Sequence, residues 1–480
     1  MRVFFKYLIW LLSLLTLVIF FLVTTKLGNQ TLASLLSYYF SNKTHNTIEI
    51  EALNFEKYPQ LLMDIRINNA AKVHVEGLVN TQKIDMVYHL KGDEYRWNQF
   101  VVENGVDFNG TVTGTLLALE VKGEGRVFDG FAKYAFTKVS KRYENMKVQL
   151  TEVRSQELLK FFNKRAVLRG RMNIESQFKF FSNLKKDGQS KIYMSRGFMP
   201  DVAPYVPFVL KGMVEFKDIS YKINGQINSD IGSLEIKNGH YHKTRKEGGG
   251  EYDLRLNNLA YFEEILKHRV KGDLKTTGEF EYKEGTYAFK GQSDKFDGVL
   301  KYDYKNEMLE LNLEGLSLIK MLHQFEYPEL LSAKVYGNVD VNIKEKIVMV
   351  NTELKETRLK ETKMTKMILK TTGIDMLADV YDQSSFVAGF QNEKLNTILK
   401  IDNGVNHLYL TETQIAVETK SIDSKFEMRM KGEELAGSIY GTLDHPKITI
   451  DMQRLIKYQV DKNLKDGLEG IKNKLNNFFH

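Results

Sequence analysis

Beyond a short helical stretch around Gln30 to Tyr39, apolar and polar residues alternate along the chain, with turn-forming clusters about every ten residues. Four hairpins can be read directly. Phe280 and Tyr282 lead through Lys283-Glu284-Gly285 to Tyr287 and Phe289. Leu300, Tyr302 and Tyr304 lead through Lys305-Asn306-Glu307 to Leu309, Leu311 and Leu313. Val339, Val341 and Ile343 precede Lys344-Glu345-Lys346 and the run Ile347 to Val350. Ile439, Gly441 and Leu443 meet His445-Pro446 and continue as Ile448, Ile450 and Met452. Successive side chains of a strand point to opposite faces, so each strand is greasy on one face and wet on the other. That alternation belongs to antiparallel sheets with one solvated face.

Short apolar patches of helical period interrupt the strands, at Leu158 to Phe162, Tyr261 to Leu266, Leu316 to Leu322 and Met376 to Tyr381. Each is followed by an apolar-x-Gly step, at Leu168-Arg169-Gly170, Val270-Lys271-Gly272, Val335-Tyr336-Gly337 and Val387-Ala388-Gly389, read as the entry to a new strand. The glycine spacings are irregular, which excludes a fixed-period solenoid. Residues 183–207 carry three of the six prolines and are expected to form a flexible loop or boundary.

The two ends differ from the body. Between Lys6 and Lys26 lie 19 uncharged residues, Tyr7 to Thr25, spanning about 28 Å as a helix, close to the hydrocarbon thickness of a bilayer. Arg2 and Lys6 precede them with no acidic residue, which places the N-terminus in the cytoplasm and the body on the far side of a membrane. A cleaved leader has a shorter apolar region and an A-x-A-like site, and neither feature is clear here. At the other end Leu455, Ile456, Leu464, Leu468, Ile471 and Leu475 recur at helical spacing among lysines, giving an amphipathic helix that caps a sheet or lies on an anionic membrane. The expected organisation is therefore 1–26 cytoplasmic tip and anchor, 27–182 first β-rich part, 183–207 loop, 208–452 second β-rich part and 453–480 amphipathic helix.

Composition narrows the function classes. With 68 Lys+Arg against 61 Asp+Glu the net charge is +7 over 480 residues, too dilute for a nucleic-acid track. The absence of cysteine removes disulfides, thiolate nucleophiles and Cys-ligated metal. No GxSxG, HExxH, P-loop or GxGxxG pattern occurs, and no cofactor, metal or catalytic group is expected. Gly248-Gly249-Gly250 reads as a hairpin turn, His240 and His242 as surface histidines, and Glu263-Glu264 as a solvated face. What remains is the apolar face itself. Phe280, Tyr282, Tyr287, Phe289, Leu300, Tyr302, Leu309, Leu311, Val339, Val341, Ile343, Ile448 and Ile450 are expected to line one continuous surface. An open sheet of about 25 to 30 strands needs cover for such a face, from its own curl, a second sheet or bound lipid.

The layout resembles the AsmA-like family of inner-membrane-anchored periplasmic proteins. The resemblance rests on the N-terminal anchor, on TLASLLSYYF followed by AKVHVEGLV (Ala71 to Val79), and on the helix-then-apolar-x-Gly steps. Above all it rests on the ending GSIYGTLDHPKITIDMQRLIKYQVDKNLKDGLEGIKNKL. It implies a mainly β fold, an elongated and curled antiparallel groove with short interspersed helices, anchored in the inner membrane with its bulk in the periplasm. It also implies phospholipid as partner, no enzymatic activity, and a role in lipid movement and outer-membrane biogenesis. The alternation fits equally a self-filled β core acting as an assembly scaffold for envelope proteins.

Overall fold

The computed structural model describes residues 21–451 except 98–99, 141, 183–184, 202, 264–268, 363–364, 367–368, 370–374, 417–418, 431 and 444, together with 453, 456 and 460. The chain is mainly β, 65% strand, with few short helices. It divides into two units, Met1–Gly250 and Glu251–His480. The division falls inside the strand Glu247–Leu256 rather than at residues 183–207.

In the first unit each strand from Ile48–Asn54 to Gly232–His242 pairs antiparallel with the next. The exception is a small hairpin, Tyr95–Trp97 with Phe100–Val102, which stands aside while its flanking strands Ile84–Gly92 and Val106–Gly114 pair with each other. In the second unit the same up-and-down order runs without interruption from Leu274–Lys283 to Pro446–Ile450. The expected hairpins form with the expected pairing: Phe280 opposite Phe289, Tyr304 opposite Leu309, Val341 opposite Val348 and Ile439 opposite Ile448. Glu284 and Gly285 have φ of 49° and 96°, and Asn306 and Glu307 of 52° and 64°. Two consecutive positive φ values give the reversal whose twist matches the flanking strands.

Helix α1 (Lys26–Thr44) opens with Thr25 accepting from Gly28 N at 3.0 Å and closes at His45 with φ 56°. It covers the exposed edge of the first sheet. Ile50 N donates to Ser37 Oγ at 2.8 Å and Ile48 N to Ser41 Oγ at 2.9 Å, while Ser41 Oγ donates to Ile48 O at 3.0 Å. Two hydroxyls one helical turn apart thus satisfy backbone groups that would otherwise template pairing with another chain.

Helices α2 (Ser155–Phe161) and α3 (Leu318–Gln324) form where short apolar patches were expected, and a 3₁₀ turn occupies Leu259–Phe262. Each α-helix plugs the apolar face at one end of its strands. Leu158 and Phe161 pack against a core that includes Phe128, Val153, Met172, Met194 and Phe208. Leu318 and Met321 pack against Phe296, Leu316, Leu354 and their neighbours.

Several expectations are corrected. The described residues of 183–207 do not form one loop: Lys186–Met199 and Ala203–Lys217 are long paired strands. Pro200 sits in the turn between them. Pairing runs from Met199 opposite Ala203 directly to Gly197 opposite Phe208, so Pro204 and Pro207, which have no N–H to give, fall in the irregular stretch. Met376 to Tyr381 is no helix: Tyr381 forms a bridge with Thr357, donating to its carbonyl at 2.8 Å and accepting at 3.2 Å, and both Met376 and Tyr381 are buried. Gly337 and Gly389 lie within strands rather than at their entries. Gly248-Gly249-Gly250 is strand, the reversal being made by Lys243 to Lys246.

The anchor residues 7–20 lie outside the described residues; 21–24 are helical. No helix among the described residues is long and apolar enough to cross a membrane. Of the C-terminal helix, Leu455, Leu464, Leu468, Ile471 and Leu475 lie outside the described residues, and Ile456 is helical and exposed.

One packing device occurs in both units. Tyr88, Gly110, Gly123 and Tyr134 stand in one row across four neighbouring strands. The two tyrosines reach towards each other over the paired glycines and join through their hydroxyls, Tyr88 also donating to Lys122 O at 3.3 Å. Tyr252 and Tyr302 do the same over the paired Gly278 and Gly291, Tyr252 donating to Lys290 O at 3.4 Å. A Cβ on Gly123 would overlap Tyr88 Oη and lie 2.7 Å from Tyr134 Oη, so the glycines are required for close approach. Gly123→Ala is expected to separate the rings and cost about 1–3 kcal/mol, more than the roughly 1 kcal/mol for Tyr134→Phe, which removes only the hydroxyl. Urea unfolding of the two variants checks this; a neutral Gly123→Ala would mean the rings are not held over the glycines.

Candidate functional site: the apolar face

Residues directly opposite in an antiparallel pair share a face, so register shows which side chains stand together. In the second unit Phe280, Phe289, Tyr304, Leu309, Val341 and Val348 form one row, which continues through Phe390, Leu395, Ile415 and Ile422. The neighbouring row holds Tyr302, Leu311, Val339 and Val350. Leu300 stands on the same face opposite Leu313. Ile448 enters through Ile439 opposite Ser424, and Ile450 through Gly437 opposite Phe426. Tyr282 and Tyr287 oppose each other beside the turn, and Ile343 lies in its own turn just past the strand. Twelve of the thirteen candidate residues therefore share one face of this unit, and Ile343 lies in the turn beyond it.

None of the thirteen is buried: ten are half-buried, and Tyr287, Phe289 and Ile343 are exposed at 55%, 38% and 50%. Exposure follows position along the strands. At the end plugged by α3, Leu313, Leu316, Val335, Leu354, Ile401 and Met430 are buried. Towards the hairpin turns at 284–285, 306–307 and 343–346 the same face is half-open. Leu300, Leu311, Val339 and Ile450 pack against the plugged core, so the filled end grades into the open one.

The opposite face is wet, and cross-strand ion pairs run along it: Lys290 with Asp303 at 3.0 Å, Lys301 with Glu314 at 2.6 Å and Lys425 with Glu412 at 2.6 Å. The partner carboxylates raise the pKa of Lys290 and Lys425. Such exposed pairs contribute little to stability and keep the face in water. Glu281, Lys301 and Asp340 are exposed, as their place in the alternation requires.

The first unit has an equivalent face that the sequence reading did not name. Val73, Leu90 and Phe108 are in register, followed through Gly125 by Ala132, Leu150, Ile174 and Ile192. Near its hairpin turns the face becomes aromatic: Phe178 contacts Phe216 at 5.2 Å, Phe216 contacts Tyr221 at 5.1 Å, and Tyr221 stacks on Tyr241 at 5.9 Å. Burial raises the pKa of Tyr88, with the hydrogen bond to Tyr134 adding to it, so the phenols stay neutral.

No group of three or more His, Asp or Glu able to hold a metal occurs among the described residues. His240 and His242 lie on one strand, His240 exposed and His242 accepting from Arg245 N at 3.2 Å. Of the Glu263-Glu264 pair, Glu264 lies outside the described residues. A concavity of 1020 Å³ in the first unit is lined by residues of both faces, among them Tyr88 and Tyr134 together with His74, His89, Glu124 and Lys133.

No family model, curated protein or solved structure matches the chain.

His74 offers a pH-dependent test of the wet face. Its Nδ1 lies 2.7 Å from Asp64 Oδ1, and this hydrogen bond, helped by the charges of Asp64 and Glu76, raises the imidazole above its ordinary 6.5 against a smaller opposing effect of burial. A raised histidine stabilises fully below 6.5 and loses that contribution as pH rises through the folded value. Asp64→Asn is expected to bring the His74 titration down towards 6.5 in an NMR pH series; an unchanged titration would show that the pair does not form.

Proposed function

We propose that this chain is an AsmA-like protein, held in the inner membrane by residues 7–25 with its body in the periplasm, and that it shields phospholipid acyl chains in a β-groove. One observation carries this reading: the twelve candidate positions on the strands share a face, none of the twelve is fully buried, and the face opens towards the hairpin turns. Contiguous exposed apolar surface of more than a few hundred Å² is unusual on a soluble protein and marks a binding surface. Each Å² that an acyl chain covers contributes about 25 cal/mol, and the charged opposite face leaves the apolar one as the only side suited to a chain. The lipid is thereby carried with its chains dry and its headgroup in water, which serves lipid movement towards the outer membrane.

Photo-crosslinking residues at Leu311 and Val341 are expected to capture phospholipid, and the same residue at Glu281, Lys301 or Asp340 to capture none. Equal labelling of both faces contradicts the groove. Val341→Asp and Leu311→Arg then separate a conduit from a self-filled scaffold. In an open groove the charge keeps part of its hydration, so the protein should stay folded at near-normal abundance while lipid movement fails. In a filled core the same charge is buried without a partner and costs several kcal/mol. Loss of the protein itself would therefore favour the scaffold.

A further inference from the structure

In the first unit Lys186 stands at the rim of the apolar face. Lys186 is the first residue of its strand, two positions from Gly188, which lies opposite both Phe178 and Phe216. A bulge between Phe178 and Phe180 turns Phe181 onto the same side, opposite Lys186. The ammonium lies 4.8 Å from the ring centre of Phe181 and 6.0 Å from those of Phe216 and Tyr221. Some lysines of this unit on the wet face meet carboxylates, as Lys133 meets Glu124 at 3.1 Å and Lys237 meets Glu235 at 3.1 Å. Among the described residues no carboxylate lies within ion-pair distance of Lys186. The charge that bears on its titration is a second cation, Lys243. Burial and, after it, Lys243 hold the Lys186 pKa below its ordinary value, as for a charge lacking a counterion.

The aromatic rings attract the ammonium through their π faces but offer no oxygen acceptor to its three N–H donors. A half-buried cation beside another cation, at the rim of an apolar face, is complementary to an anion that carries an apolar body. We propose that Lys186, seated among Phe181, Phe216 and Tyr221, holds the phosphate of a phospholipid whose acyl chains run down the apolar face past Phe178 and Ile192. Lys243 adds to the attraction from the next hairpin. The proposal rests on the reading of this face as lipid-binding and adds headgroup recognition to it.

The test is native mass spectrometry of the full chain purified in detergent and incubated with dioleoylphosphatidylglycerol or with dioleoylglycerol, which has the same chains and no phosphate. Lys186→Met is expected to weaken phosphatidylglycerol binding roughly tenfold or more, to leave dioleoylglycerol binding unchanged, and Lys186→Arg to retain both. Lys186→Gln serves in place of the Met variant if circular dichroism shows that the latter does not fold. Equal phosphatidylglycerol binding by wild type and Lys186→Met would overturn the headgroup site and leave the lipid-binding face standing. Displacement of phosphatidylglycerol by inorganic phosphate at comparable concentration would overturn the lipid as source of the anion. Failure of the wild type to hold either lipid would overturn the reading of the face, and the headgroup site with it.

Discussion

An antiparallel sheet whose sequence alternates strictly must find cover for every second side chain, and this constraint governs both units. Most of the cover is supplied at one end. In the second unit α3, Phe296 and the buried Leu316, Met376 and Tyr381 fill the face where the strands leave their turns for the helix. In the first unit α2 does the same with Phe128, Val153 and Met194. Towards the opposite turns of the second unit the face continues with the same apolar residues and is half-open. Hydrophobic burial thus stabilises each sheet at its plugged end, and the open end retains an unmet demand for apolar contact.

The tyrosine pairs fit this picture. Tyr88 with Tyr134, and Tyr252 with Tyr302, lie flat over paired glycines, so each covers backbone that would otherwise be bare and ties strands together across two intervening ones. Thr276 adds a further hydroxyl contact to Tyr302 at 2.6 Å. Paired hydroxyls satisfy one another, which lets aromatic residues occupy an apolar face without an orphaned polar group. Edge protection is equally local: Ser37 and Ser41 of α1 meet the first strand's backbone directly.

Much of this architecture is legible in the sequence because it is local. The hairpins around Glu284-Gly285 and Asn306-Glu307 need only alternation and a short charged turn, and both appear in register. Met376 to Tyr381 has a helical apolar spacing, but its conformation is set by the bridge from Tyr381 to Thr357, a contact no short window contains. The prolines near 200 mark a turn and an irregular strand entry rather than a boundary. The first unit's face escaped notice because bulges between Leu150 and Val153, and between Phe178 and Phe180, break the period. Between Lys186 and Ile192 that face is written in Gly188 and Ser190, so nothing apolar marks the lysine as belonging to it. The tyrosine partners lie 46 and 50 residues apart, beyond any motif.

The central claim is that the open part of the apolar face is covered by lipid rather than by protein, and quantitative lipid extraction of the purified full chain tests it most directly. The account predicts phospholipid co-purifying at one molecule or more per chain, released when the body is unfolded in urea. A chain free of lipid that remains monomeric and equally stable would contradict it.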